Sequence, residues 1–380
     1  MDDLIWLQDR LFKLSSINIS QFKEEILCSS HISTNESVIN LAHNIILATQ
    51  TRCLQLPLYV DLVIFLVSQK EKTDDDPIFH LIPELEYFCF KHSNLNKDFQ
   101  PFLVLNCFKY NQFYFLYLLF CQIRQIQKNE KDHNSIFSNF DVHYMIDFFY
   151  EQYMKYNQFL PFEIIQLFLP EIEKNDKNLY FSLIQKKLNN QVDLNEIIQI
   201  RDNFFCNSEL LQSLQDDDVD KLQKISLNIK LSNEIEMWHF YPFRTTSITF
   251  PLNLSAFFGS LKCFKFILLN DPDNSISLIN DDLMRDAVLG GNVEIIRIIS
   301  QRNENQINEE LINYAITAHQ NEIAQWIIDN TKDIKLNLFI EACLYSNNIE
   351  MLDSILYSIP DSEKLNIFNN NTKNCLALQN

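Results

Sequence analysis

The sequence predicts an all-α protein, an irregular N-terminal helical array followed by a helical repeat solenoid. Three observations carry that expectation. Apolar residues recur at helical spacing, a set of C-terminal positions repeats at a constant step, and glycine is confined to three positions, Gly259, Gly290 and Gly291, inside the repeated stretch. An average chain carries about seven per cent glycine, so a glycine-rich phosphate cradle or a strained nucleophile turn has almost nothing to be built from.

Helical periodicity starts at the amino terminus. Leu4, Leu7, Leu11 and Leu14 share one helix face, as do Val38, Leu41, Ile45 and Ala48. Ser33 and Glu36 have capping-box spacing just before the second of these stripes. Phe113, Leu116, Tyr117 and Phe120 form a third stripe. The most lipid-like stretch, 102–120, is interrupted by Asn106, Lys109, Asn111 and Gln112, so it is expected to be a buried helix pair rather than a membrane span. Pro57, Pro77, Pro83, Pro101 and Pro161 punctuate the helices, and 69–77, 127–139 and 175–178 are the most polar breaks. No clean period runs through residues 1–204, which are therefore expected to form an irregular helical region.

The repeat lies beyond it. Glu294, Glu322 and Glu350 are evenly spaced, and Leu283, Leu311 and Phe339 keep the same step. So do Ala287, Ala315 and Cys343, then Ile295, Ile323 and Met351, then Ile299, Ile327 and Ile355. Apolar and small residues in phase at a fixed period mark stacked supersecondary units, here pairs of short helices. Three positions before the acidic column lie Gly291, His319 and Asn347, aligned with Gly259 and, in a weaker copy, Asp217. Gly, Asn, Asp and His are the residues that best tolerate positive φ, so this column is expected to end each first helix in the left-handed conformation. Ser260, Asn292 and Asn348, one position later, are placed to cap the second helix.

The segment 250–270, FPLNLSAFFGSLKCFKFILLN, resembles the ankyrin pattern Thr-Pro-Leu-His-Leu-Ala-Ala with its glycine turn and second apolar helix. Its AFFGS and KCFK stretches more closely resemble a large family of protist ankyrin-repeat proteins of unknown biochemical role, and 208–228 looks like that family's opening repeat. The resemblance covers about residues 205–360 and leaves 361–380 as a polar tail. It implies ankyrin-like repeats that bind other proteins. The usual repeat is about 33 residues, so the shorter step from Glu294 to Glu322 to Glu350 predicts shortened or absent β-hairpin fingers. Only Pro251 and Leu252 match the Thr-Pro-Leu-His motif, and an insertion containing MWHFYPFRTTSITF separates the first two turns.

A formal net charge of −19 argues against binding nucleic acid, because phosphate neutralisation needs clustered Lys and Arg. The acidic start MDDLIWLQDR does not resemble a secretory leader, and nine cysteines scattered without a CxxC pair fit reduced thiols in a cytoplasmic protein. No histidine spacing suggests a metal site, and no cofactor is expected.

Three positions invite chemistry, and each has a structural reading beside it. Asp216, Asp217 and Asp218 offer paired carboxylates or a solvated turn and helix start. His239, between Trp238 and Phe240, offers a general base or part of an aromatic plug. Cys263, flanked by Lys262 and close to Lys265, offers a nucleophile or a core thiol. In ankyrin folds that these repeats resemble, the two residues before each turn face the concave groove: Phe257 and Phe258, Leu289 and Gly290, Thr317 and Ala318, Tyr345 and Ser346. Phe257, Phe258, Leu289, Thr317 and Tyr345 are the candidate partner-binding residues, with inter-repeat packing as the competing role. The expected function is noncatalytic protein–protein interaction; the alternatives are a recruiting subunit of a larger complex and an enzyme with a site in the N-terminal helices.

Overall fold

The helical spacing of the apolar residues is realised throughout the computed structural model, which describes residues 2–52, 55–69, 77–82, 84–85, 209–236, 248–270, 281–302, 308–331 and 336–360, with isolated residues between 115 and 195. The class is all-α, with one pair of two-residue strands. The stripe containing Phe113, the break at 127–139, that at 175–178 apart from the helical Lys177, His239 and the tail 361–380 lie outside the described residues. The described chain divides into two units, one holding the first helix together with everything from Ser208 onward, the other holding the residues between 14 and 195. The region expected over 1–204 therefore gives up its first helix to the repeats.

In the second unit, α2 (Ile19–Leu27), α3 (Asn35–Thr51) and α4 (Leu56–Ser68) pack through amphipathic faces. Val38, Leu41, Ile45 and Ala48 are fully buried, which is the stripe the sequence marks. The cap of α3 sits one residue later than the Ser33 and Glu36 spacing implies. Thr34 accepts from the Ser37 amide at 3.1 Å and its own amide donates to the Ser37 hydroxyl at 3.0 Å, so serine replaces glutamate in the reciprocal box. Pro57 sits in the first turn of α4, where a missing amide hydrogen is harmless. Lys23 on α2 reaches Asp61 on α4 at 2.7 Å and lies 5.0 Å from the Phe65 ring centre.

Among the described residues the first unit holds α1 (Asp2–Phe12) and five helical hairpins. These are α5 and α6 (Glu209–Gln215, Val219–Ser226), α7 and α8 (Pro251–Phe257, Leu261–Asn270), and α9 and α10 (Asp281–Gly290, Val293–Ser300). They continue with α11 and α12 (Glu309–Thr317, Asn321–Asn330), then α13 and α14 (Ile340–Tyr345, Ile349–Ser358). Each first helix packs on the next, α5 on α7, α7 on α9, α9 on α11 and α11 on α13, while α6 packs on α8 and α8 on α10. The positions that repeat at a constant step are the reason. Leu283, Leu311, Phe339, Ala287, Ala315, Cys343, Ile295, Ile323, Met351, Ile299, Ile327 and Ile355 are all buried. Small residues at Ala287, Ala315 and Cys343 let neighbouring first helices approach. The insertion after the first hairpin is held at its ends by antiparallel β1 (Ile235–Glu236) and β2 (Ile248–Thr249), with Ile235 opposite Thr249.

The turn column adopts the conformation its residue types demand. Asp217, Gly259, Gly291, His319 and Asn347 have φ of 51°, 69°, 75°, 55° and 51°, and they are the only positive-φ residues among those described. Glycine is required at two places for a further reason. A Cβ on Gly259 would meet the Gly290 carbonyl oxygen at 2.9 Å, and one on Gly290 would meet the Ala256 carbonyl oxygen at 2.1 Å. A Cβ on Gly291 meets only the end of the Gln320 side chain, at 2.7 Å, which can move aside. Asparagine's tolerance of positive φ is therefore insufficient at Gly259, where main chain blocks any side chain, but sufficient at Gly291.

Urea denaturation of three variants checks this. Gly291→Asn should lose less than about 1 kcal/mol, since asparagine visits this conformation readily, whereas Gly259→Asn should lose more. Gly290→Ala, which would gain about 1 kcal/mol in an open helix, should instead lose about 1–3 kcal/mol through overpacking.

Candidate functional site

The pre-turn pairs split between core and surface. Phe257 and Leu289 are only 9% and 8% exposed, so they pack between hairpins rather than offering contact area. Phe257 meets Phe258 edge to face, with ring centres 5.7 Å apart. Phe258, Gly290 and Thr317 are half-buried, and Ala318 and Ser346 are buried. The Thr317 hydroxyl donates to the Asn313 carbonyl at 2.7 Å. Tyr345 ends α13, and its side chain lies outside the described residues. Gly290 is excluded as a contact residue, because the main chain of α7 sits where its side chain would be.

The other end of each turn carries an organised polar edge, which the capping argument anticipates only in part. Asn292 caps α10 by accepting from Glu294 and Ile295 amides, and Asn348 caps α14 by accepting from Met351. These two side chains, and Gln320 at the equivalent position although it makes no cap, also donate backward to the preceding hairpin. Asn292 Nδ2 reaches the Gly259 carbonyl at 2.9 Å, Gln320 Nε2 the Leu289 carbonyl at 3.4 Å, and Asn348 Nδ2 the Ile316 carbonyl at 2.8 Å. Ser260 contributes no cap and donates instead to the Leu214 carbonyl. Its capping task passes to Asp217 of the previous turn, whose carboxylate accepts from the Lys262 and Cys263 amides at 3.2 and 2.9 Å. One donor per junction thus satisfies a carbonyl that its own helix leaves open.

At the last junction the donor comes from the far end of the chain. Gln8 on α1, only 4% exposed, donates from Nε2 to the Asn347 carbonyl at 2.6 Å and accepts at Oε1 from the Ile349 amide at 3.3 Å. It does at Asn347 what Asn292 does at Gly259. Phe12 stacks on the His319 ring with centres 3.5 Å apart and planes 15° off parallel. His319 Nε2 lies 3.0 Å from the Ser346 carbonyl, which can only accept, so Nε2 carries the proton. Lys13 forms a 2.6 Å ion pair with Asp9. That bond, reinforced by the negative charges of Asp9, Glu322 and Glu350 and opposed by burial, raises its pKa above the ordinary lysine value. Leucine spacing marks α1 as a helix, but nothing in the spacing says where it docks.

The chemistry suggested for single residues does not assemble. Burial first, then Asp217, pushes the Cys263 thiol up to about 12, and its Sγ lies 3.5 Å from the Ser213 carbonyl. A thiol held protonated is a poor nucleophile. Burial likewise raises Cys343 to about 12. Asp217 and Asp218 are engaged in capping, Asp218 accepting from the Lys221 amide at 3.0 Å. Among the described residues, no group of three His, Cys, Asp or Glu side chains could hold a metal ion, and no helix is long and apolar enough to cross a membrane. The cleft beside α1, lined by Phe12, Lys13, Val293, Gln320, Glu322 and Glu350, measures about 160 Å³, below the roughly 300 Å³ of small-molecule sites.

Two expectations follow from this edge. Asn348→Ala, which removes a cap and strands the Ile316 carbonyl, should lower stability by about 2–4 kcal/mol in urea denaturation. Burial lowers His319 from 6.5 to about 4 against the bond to Ser346, which acts in the opposite direction. An unfolded chain takes up that proton first, so the stability from neutral His319 is complete above pH 6.5 and declines toward pH 4. The wild-type advantage over His319→Asn should shrink across that window in denaturation midpoints measured at successive pH values.

The family model of a domain of unknown function, DUF3447, matches residues 275–357, which span α9 through most of α14. No curated protein and no solved structure matches the chain.

Proposed function

We infer that this chain is a noncatalytic protein-interaction module whose hairpins are ankyrin-like repeats of the protist family that 250–270 resembles, acting in the cytoplasm on a protein partner. The observation that carries the reading is the division of labour along each hairpin. Interior positions are consumed by stacking, while Phe258, one residue before the turn of one hairpin, and Thr317, two residues before the turn of another, stay half-exposed. A stack of that kind presents an extended surface that can vary without disturbing the core. The high pKa of Cys263 and the capping duties of Asp217 and Asp218 favour a binding role over catalysis at those positions.

Affinity capture with the tagged full chain tests the reading. A protein should be retained at near-stoichiometric level, and Phe258→Arg with Thr317→Arg should weaken it at least about tenfold, the effect of losing one hot spot. Melting temperature should change little. Retention of no protein, or undiminished binding by the double variant, would show that the repeat surface is not the platform.

A further inference from the structure

We propose that residues 364–368 seat on the open face of the last hairpin and close the stack as an incomplete sixth unit. This closure holds whatever the stack binds. Two columns define the face. Leu214, Ala256, Val288 and Ile316, three residues before the corners of the first four hairpins, are fully buried. The next hairpin lies against them: Ser260 donates to the Leu214 carbonyl, Asn348 donates to that of Ile316 at 2.8 Å, and Gly290 abuts the carbonyl of Ala256. Leu344 holds the same place in the last hairpin and is 37% exposed. Five residues after the corners, Leu222, Phe264, Ile296 and Ala324 are buried in the same way, whereas Leu352 is only half-buried. No described hairpin follows α14, so two leucines meet solvent where every earlier unit has a neighbour.

The sequence beyond Pro360 supplies the occupant. Residues 364–368 read KLNIF and residues 335–339 read KLNLF. The two differ only at Leu338 against Ile367, and their separation is one residue beyond the constant step of the repeat. The earlier copy opens a unit. Its short helical turn, Leu336–Phe339, leads into α13, which packs on α11, and Phe339 is buried in the column of Leu283 and Leu311. Matching sequence at the repeat's own period marks the same role. The connectors agree, 331–335 between α12 and the first copy, 359–364 between α14 and the second. After the phenylalanine the copies part. At the same offset Asn369 stands in place of Ile340, and Lys373 in place of Leu344. A unit with an apolar entry and a lysine where the forward leucine would be covers the face behind it and offers none ahead, as terminal repeats do.

Hydrogen exchange on the full wild-type chain reads the seat directly. Amides of 366–368 should exchange at least about tenfold more slowly than in an unstructured chain. Exchange at the unstructured rate overturns the proposal. A double-mutant cycle in urea denaturation then identifies the contact. Phe368→Ala should lower the folding constant at least about tenfold in the wild-type background but less than about threefold in Leu344→Ala/Leu352→Ala, where the seat is already removed. A Phe368→Ala chain as stable as wild type, or one equally destabilised in both backgrounds, overturns the proposal. If Leu344→Ala/Leu352→Ala does not fold, hydrogen exchange on the wild type decides alone. Sedimentation separates the competing occupant. A wild-type dimer that Leu344→Asp dissolves and Phe368→Ala leaves intact would put a second copy on the face, contrary to the proposal.

Discussion

The repeats depend on one backbone requirement, a left-handed residue at every hairpin corner. A chain that leaves a helix through positive φ can reverse direction in two residues and start the next helix with its first amides facing back. Asp217, Gly259, Gly291, His319 and Asn347 meet that requirement with four different side chains. The residue after each then satisfies the polar groups of the corner. Asn292 and Asn348 are the fullest solution, since the amide oxygen caps the helix ahead while the nitrogen holds the carbonyl behind. The apolar period can stack hairpins only because these corners repeat.

Much of this is legible in the sequence alone. The constant period, the in-phase apolar positions and the residue types that tolerate positive φ all report local conformation or the face a residue turns inward. The corner column and its buried partners follow directly. The failures have a common physical origin in what lies across a junction. Nothing near Gly259 in sequence reveals the Gly290 carbonyl that excludes asparagine, and nothing near Ser260 reveals that Asp217 takes over its cap. Phe257 and Leu289, candidates for partner contact, are absorbed by the same packing. The shifted cap at Thr34 is a smaller error of the local kind, because Ser37 answers Thr34 as glutamate would.

The candidate site shows how polarity substitutes for a larger core. Buried thiols at Cys263 and Cys343 are held protonated, and His319 is held neutral, so the groups with intrinsic reactivity are committed to packing. Asp286 is a fully buried carboxylate that accepts from Asn253 at 2.8 Å, while at the edges Lys265 meets Glu294 at 3.7 Å and Asn321 donates to Glu350 at 2.7 Å. Pairs so exposed contribute little each.

The bond from Gln8 to Asn347 joins residues 339 apart in sequence, and that separation bears on biosynthesis. A ribosome adding about 5–20 residues per second delivers the acceptor roughly 20–70 s after the donor. Throughout that interval the first helix has left the exit tunnel without its seat, with Leu7 and Leu11 unburied by it. The hairpins, whose contacts are mostly between neighbours, assemble in the order they emerge. In a nascent chain the turn edge that Gln8 completes thus closes only after the hairpins before it have emerged, and any factor that recognises the undocked helix has its longest opportunity during translation.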